Sequence, residues 1–237
     1  MKKLFIASMV AGLLSSAAFA QENNLKIAFA DNLSSLDPQL NNFAGDRSAG
    51  LFFFDMLVAN YHNKLLPALA VEWKNIDPHT WEFSLREGVE WSDGQPFVAE
   101  DVVYSIDRIR QVPGSVAPFT GYVRTIEEVT IKDPNTLIIK TTIPNPDLPL
   151  NLASVPIVIK HATEKAASED FNSGKALVGT GPYTLVSYTP GERLIAQKNP
   201  KYWGEEPIWD RVDYIYNANA ASRTAALLSG DVDVIDK

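Results

Sequence analysis

Apolar and polar positions alternate or recur along the chain in several distinct runs. Residues 25–30 alternate and predict a strand ending at Asp31-Asn32. Residues 46–59 predict a helix, with Ala49, Phe52, Phe53, Met56 and Leu57 at three- and four-residue spacings on one face. Trp81, Phe83 and Leu85 alternate with Thr80, Glu82 and Ser84, a strand buried on one face. Its expected partner is 71–74, across an Asp77-Pro78 turn, with Trp73 facing Trp81 and both in the core. Val102, Val103, Ile106 and Ile109 mark a helix after Pro96-Phe97, and Glu100 and Asp101 in its first turn suit the helix dipole. Hairpins are predicted over 130–142 and 183–198, and a Pro-rich loop over 144–149. Towards the end come a strand over 212–216, a helix over 220–229 stopped by Gly230, and a strand over 232–235. Strands and helices mix without a regular βαβ rhythm, so the expected fold class is mixed α/β.

The first twenty residues follow a different logic. Lys2 and Lys3 precede a short apolar run, and Ala18-Phe19-Ala20 supplies small residues for cleavage. This three-part pattern predicts a signal peptide over 1–20, with Gln21 as the mature N-terminus. The apolar run is shorter than the roughly 20 residues that span a bilayer. No Cys follows the cleavage site, so a lipid anchor and direct membrane attachment are not expected.

The chain has 237 residues, 21 basic and 29 acidic, for a formal charge of −8. Without Lys2 and Lys3 the balance is 19 to 29, or −10. Such a surface repels phosphate backbones and argues against nucleic acid partners. With no cysteine, thiol nucleophiles and Cys-ligated metals are excluded. His62, His79 and His161 are scattered with no second ligand at metal spacing, and no hydrolase elbow or phosphate loop occurs. Gly179-Thr180-Gly181 is followed by Pro182, which has no N–H for a phosphate, and then by a strand. A tight chain crossing is the expected role there. Glu127-Glu128 and Glu205-Glu206 are sequence neighbours that point apart on a strand and read as solvated charge. No cofactor and no catalytic set is expected.

Two long segments carry a resemblance. One contains Ala70, Trp73, Leu85-Arg86, Gly88, Asp93-Gly94, Pro96 and Glu100-Asp101-Val102. The other contains Gly179-Thr180-Gly181-Pro182-Tyr183, Asn199-Pro200-Lys201-Tyr202-Trp203 and Ser229-Gly230-Asp231-Val232-Asp233. Together they closely resemble the extracellular solute-binding proteins of peptide- and nickel-type ABC importers. Val98 departs from the family's usual Thr at a helix cap, a loss that costs about 0.5–2 kcal/mol.

The resemblance implies a mixed-sheet lobe of a two-lobed periplasmic binding protein of the large peptide-binding type. Family members are roughly twice as long, so residues 21–237 are expected to be an N-terminal lobe, with the second lobe and return segment absent. The implied function is capture of a small solute, foremost short peptides, in an interlobe cleft in the periplasm, and delivery to the membrane permease subunits of an ABC importer. A full-length monomer without enzymatic activity is expected. Nickel-chelate, haem, opine or oligosaccharide ligands are alternatives within the family; a secreted hydrolase or a periplasmic chaperone are alternatives outside it. By position, the segment after Leu36-Asp37-Pro38 lies near the cleft, which makes Asn41, Asn42, Phe43 and Ala44 candidate ligand contacts, and Phe119 matches an aromatic lining position. The same residues also read as loop asparagines, a helix staple at Phe43 and a core anchor at Phe119.

Overall fold

The computed structural model describes residues 23–236; the expected signal peptide lies outside them. In chain order the first elements are β1 (Asn24–Phe29), α1 (Ala44–Phe53), β2 (Val58–Tyr61), β3 (Lys64–Pro67), β4 (Ala70–Asp77), β5 (Thr80–Leu85) and α2 (Ala99–Ile109). Next come α3 (Thr120–Val123), β6 (Ile126–Asp133), β7 (Thr136–Thr141), α4 (Leu148–Leu152), α5 (Lys160–Thr163) and α6 (Ser168–Asn172). Last are β8 (Tyr183–Thr189), β9 (Arg193–Lys198), β10 (Arg211–Tyr216), α7 (Ala220–Ser229) and β11 (Val234–Ile235).

Two larger sheets organise the described residues. One runs β11-β1-β10-β9-β8, with β1 parallel to β10 and β11 and the rest antiparallel. The other is antiparallel, in the order β4-β5-β7-β6. Each has its own core. Phe83, Leu137, Ile139, Trp91 and the buried face of α2 fill the four-stranded unit. Leu194, Tyr214, Phe53 and Phe171 fill the five-stranded one. Each fully buried side chain of this size contributes about 1.5–3 kcal/mol.

Every predicted hairpin is present, and the mixed sheet agrees with the expected α/β class. Trp73 sits opposite Phe83, and Asn75 opposite Trp81, so the two tryptophans are offset by one same-face step. Both are partly buried against the four-stranded core. Valine at 98 offers no cap oxygen, but Asp101 reaches back to accept the Val98 N–H (3.1 Å) and the indole N–H of buried Trp91 (3.1 Å). Half of a capping box thus survives the substitution. At the other end of the chain, Asn219 caps α7 and Gly230 ends it at φ 78°.

The main difference from expectation is the first helix. It ends at Phe53, not at 59, and Phe54 is already extended (φ −128°, ψ 139°). Met56 and Leu57 continue the helical spacing, but Met56 bridges Pro156 and Leu57 is buried in the four-stranded core. The chain then forms the β2–β3 hairpin, turned by His62 and Asn63 in the left-handed region (φ 50° and 61°). Short helices occupy the stretches after 119, 147, 159 and 167, and the first turn of α4 contains Pro149 from the expected loop.

Candidate functional site

The two cores meet along a seam at the C-terminal end of α1. Gly181 N–H donates to the Phe53 carbonyl (2.9 Å). A Cβ on Gly179 would lie 1.8 Å from that oxygen, and one on Gly181 2.6 Å from the Phe53 carbonyl carbon. These glycines are present because two backbones touch there, which is the tight crossing expected from the sequence. Between them Thr180 donates its hydroxyl to Asp55 Oδ2 (2.9 Å), which also accepts the Trp203 indole N–H (2.9 Å). Burial pushes the Asp55 carboxyl up, while the bonds from Trp203 and Thr180 and the charge of Arg86 pull it back. Arg86 stacks 4.2 Å above the Trp203 ring, and Asn199 Nδ2 donates to the Gly181 carbonyl (2.8 Å). Arg86, Gly179 to Gly181, Asn199 and Trp203 all belong to the two segments of resemblance. The most legible motif of the chain is therefore a structural joint.

A different arrangement surrounds the N-terminal end of α1. Asp37 forms a two-pronged ion pair with Arg108 of α2 (2.7 and 3.0 Å), and Gln39 donates to the carbonyls of Pro156 (2.8 Å) and Ser105 (3.2 Å). This fixes the loop that leads into α1. Asn41 is buried; its Oδ1 accepts the N–H groups of Val116 (3.0 Å) and Ala117 (3.3 Å), and its Nδ2 donates to Ser34 (3.0 Å). Asp46 turns back towards the same loop, accepting the Ser34 N–H (2.8 Å) and its hydroxyl. Burial pushes the Asp46 carboxyl up against these bonds.

Beyond this frame lies a concavity of about 440 Å³ whose walls include Asn42, Ala44, Arg47, Leu51, Met56, Ser154 and Pro156. The size is within the range of small-molecule sites. Asn42 Oδ1 accepts from Arg47 (3.3 Å), its Nδ2 donates to the Tyr122 hydroxyl (3.3 Å), and Arg47 also reaches Ser154 Oγ (3.4 Å). Burial pushes the Tyr122 phenol up, but the hydrogen bonds with Asn42 and Ser154 and the Arg47 charge outweigh it, leaving it below its ordinary range.

The structure therefore separates the sequence candidates. Asn42 and Ala44 line the concavity, and Phe43 stands next to them, 45% exposed, at the N-cap of α1. Asn41 faces the loop at 115–117 instead, and Phe119 is 1% exposed in the four-stranded core, 6.1 Å from the Tyr122 ring. Arg47, Ser154 and Tyr122 were not singled out from the sequence. Only Arg47 carried a signal: a cation in the first turn of a helix opposes the dipole. Two histidines have partners the sequence did not suggest, His161 at 2.8 Å from Asp93 and His79 at 2.9 Å from the Thr141 carbonyl. Among the described residues no three of His, Asp and Glu gather as a metal cluster, and no helix is long and apolar enough to cross a membrane.

The described residues are thus two sheet units joined at a glycine seam, with a concavity of mixed polar and apolar lining beside it. The chain belongs to the bacterial extracellular solute-binding proteins, family 5, whose middle region matches residues 64–237. It is 27% identical to the periplasmic murein peptide-binding protein MppA of Escherichia coli K12, over 97% of this chain and 46% of that protein. The structure of OppA from Burkholderia pseudomallei superposes with a TM-score of 0.82 at 26% identity, covering 91% of this chain and 46% of that one. MoaA of A. tumefaciens R10, solved with mannopinic acid, gives 0.81 at 27% identity, covering 92% and 45%. The chain spans about half the length of these relatives and matches that part of their two-lobed fold.

Proposed function

We propose that residues 21–237 supply one wall of a cleft that captures short peptides, and that the protein is a periplasmic solute receptor handing them to the permease of an ABC importer. The observation that carries this reading is the concavity at the start of α1. Amide, hydroxyl and guanidinium groups stand on its rim, and Leu51, Met56 and Pro156 form its apolar wall. Such a mixture suits backbone amides and termini while leaving side chains loosely specified. Asn42, Phe43 and Ala44 are assigned to ligand contact, Asn41 to holding the loop at 116 and 117, and Phe119 to the four-stranded core. The murein peptide named for MppA fits the same reading. Closure of a second lobe would bury the ligand without breaking any bond in it.

A second reading, an opine acid as ligand, is favoured by Arg47 and by the mannopinic acid bound to MoaA.

The test is native mass spectrometry of the protein from its host's periplasm, followed by calorimetric titration with di-, tri- and pentapeptides. Small adducts that fragment as peptides, and micromolar or tighter peptide binding, are expected. Absence of binding by every peptide, with binding of mannopinic acid, would replace this reading by the second.

A further inference from the structure

We infer that Arg47, with Asn42 and Ser154 beside it, forms a subsite for a ligand carboxylate on this wall of the cleft. The inference rests on the binding role proposed above and names the chemical group the concavity selects.

Its basis is an imbalance of charge. Among the described residues lining the concavity, Arg47 is the one cation, and Asp46, the one anion, is turned away onto Ser34. Arg47 is exposed, and its bonds to Asn42 Oδ1 (3.3 Å) and Ser154 Oγ (3.4 Å) are long and go to neutral oxygens. Arg108, by contrast, holds Asp37 at 2.7 and 3.0 Å. A guanidinium fork matches a carboxylate and forms charge-assisted bonds roughly twice as strong as neutral ones. The surroundings favour the same partner. Arg47 sits in the first turn of α1, where the helix dipole repels a cation, and the cap residue Phe43 has no oxygen for the N–H groups there. An incoming anion would relieve each of these at once. A peptide C-terminus and an opine acid share the carboxylate, so the experiment separates them.

The full-length protein, freed of endogenous ligand, is titrated with trialanine, trialanine amide and mannopinic acid, as wild type and as Arg47→Gln and Arg47→Lys. The wild type is expected to bind trialanine about 10- to 100-fold more tightly than the amide, the range of a charge-assisted contact. Arg47→Gln should abolish that preference with an unchanged thermal midpoint of the unliganded protein, and Arg47→Lys should keep part of it. Equal binding of acid and amide by the wild type, or a preference that survives in Arg47→Gln, overturns the subsite. Should both peptides fail and mannopinic acid bind, a loss of 10-fold or more in Arg47→Gln upholds the subsite while removing the peptide reading. Mannopinic acid bound equally by both proteins overturns the subsite. Failure of all three probes overturns both.

Discussion

The two ends of α1 are built from opposite principles. At its C-terminal end, Phe53 and Asp55 meet groups from more than a hundred residues away, and their contacts are short and saturated. Thr180, Gly181 and Trp203 all bond within 2.9 Å there. At its N-terminal end, ten residues earlier, Arg47, Asn42 and Ser154 touch at 3.3 to 3.4 Å and face an open concavity. One end is satisfied by the protein itself, and the other holds polar groups that a ligand could use better than their neighbours do. A joint tolerates no freedom; a binding surface requires some unspent hydrogen-bonding capacity. The proposed ligand contacts lie at the opposite end of the helix from this joint. Several residues that carry the resemblance, Arg86, Gly179 to Gly181, Asn199 and Trp203, cluster at the joint.

Substitutions can break this contrast, beginning with the largest effect. Gly179→Ala forces a Cβ to within 1.8 Å of the Phe53 oxygen, so the seam must open. We expect a loss of about 3 kcal/mol or more in denaturant unfolding, at the upper end of overpacking effects. Gly121→Ala, where the added Cβ meets nothing within 4 Å, should stay within about 0.5 kcal/mol. A mild Gly179→Ala would show that the seam yields.

Asp55→Ala orphans the Thr180 hydroxyl and the Trp203 indole, for an expected loss of about 2–3 kcal/mol by the same measurement. Its pH dependence has a definite sign. The folded-state pKa is raised, chiefly by burial, so the protonated form is the one the fold favours. Its contribution is complete below the unfolded value of about 3.9 and fades as pH rises through the folded value. Asp55→Asn should flatten the stability profile over that interval; an unchanged slope would assign the dependence to other groups.

Asn41→Ala tests the frame behind the proposed binding wall. It removes the acceptor for two N–H groups, and a loss of about 1–2 kcal/mol is expected, with faster amide exchange at 116 and 117. Unaltered exchange there would show that Asn41 does not hold the loop. The smallest effect belongs to Arg47→Ala. Its exposed side chain and long contacts predict a change within about 0.5 kcal/mol. A cost comparable to that of Asp55→Ala would erase the distinction between the two ends.

Much of this fold was legible from local pattern, and each miss has its own physical cause. The β4–β5, β6–β7 and β8–β9 hairpins follow from alternation plus turn residues between adjacent runs. Helices α2 and α7 follow from local periodicity, with Asp101 and Gly230 marking their ends. The end of α1 was not legible, because Met56 and Leu57 keep the helical spacing while the crossing of Gly179 to Gly181 claims the space beside Phe53. The β2–β3 hairpin was missed because His62 and Asn63 adopt positive φ without the glycine that usually signals it. At the candidate site, Asn42, Phe43 and Ala44 could be proposed from their place after Leu36-Asp37-Pro38. Tyr122 and Ser154 could not, since they lie roughly eighty and a hundred residues away from them.

The sequence by itself determined what depends on neighbours along the chain: local periodicity, turns, helix stops and the composition that excludes thiol chemistry. It also carried the family resemblance, because a seam of touching backbones needs glycine and a few fixed polar partners at set positions. Only the tertiary structure decided which polar groups are consumed internally and which remain available. Asn41 and Asn42 are adjacent and chemically identical, yet one is buried against the backbone at 116 and 117 while the other lines the concavity. That difference is made by segments remote in sequence, and no local pattern records it.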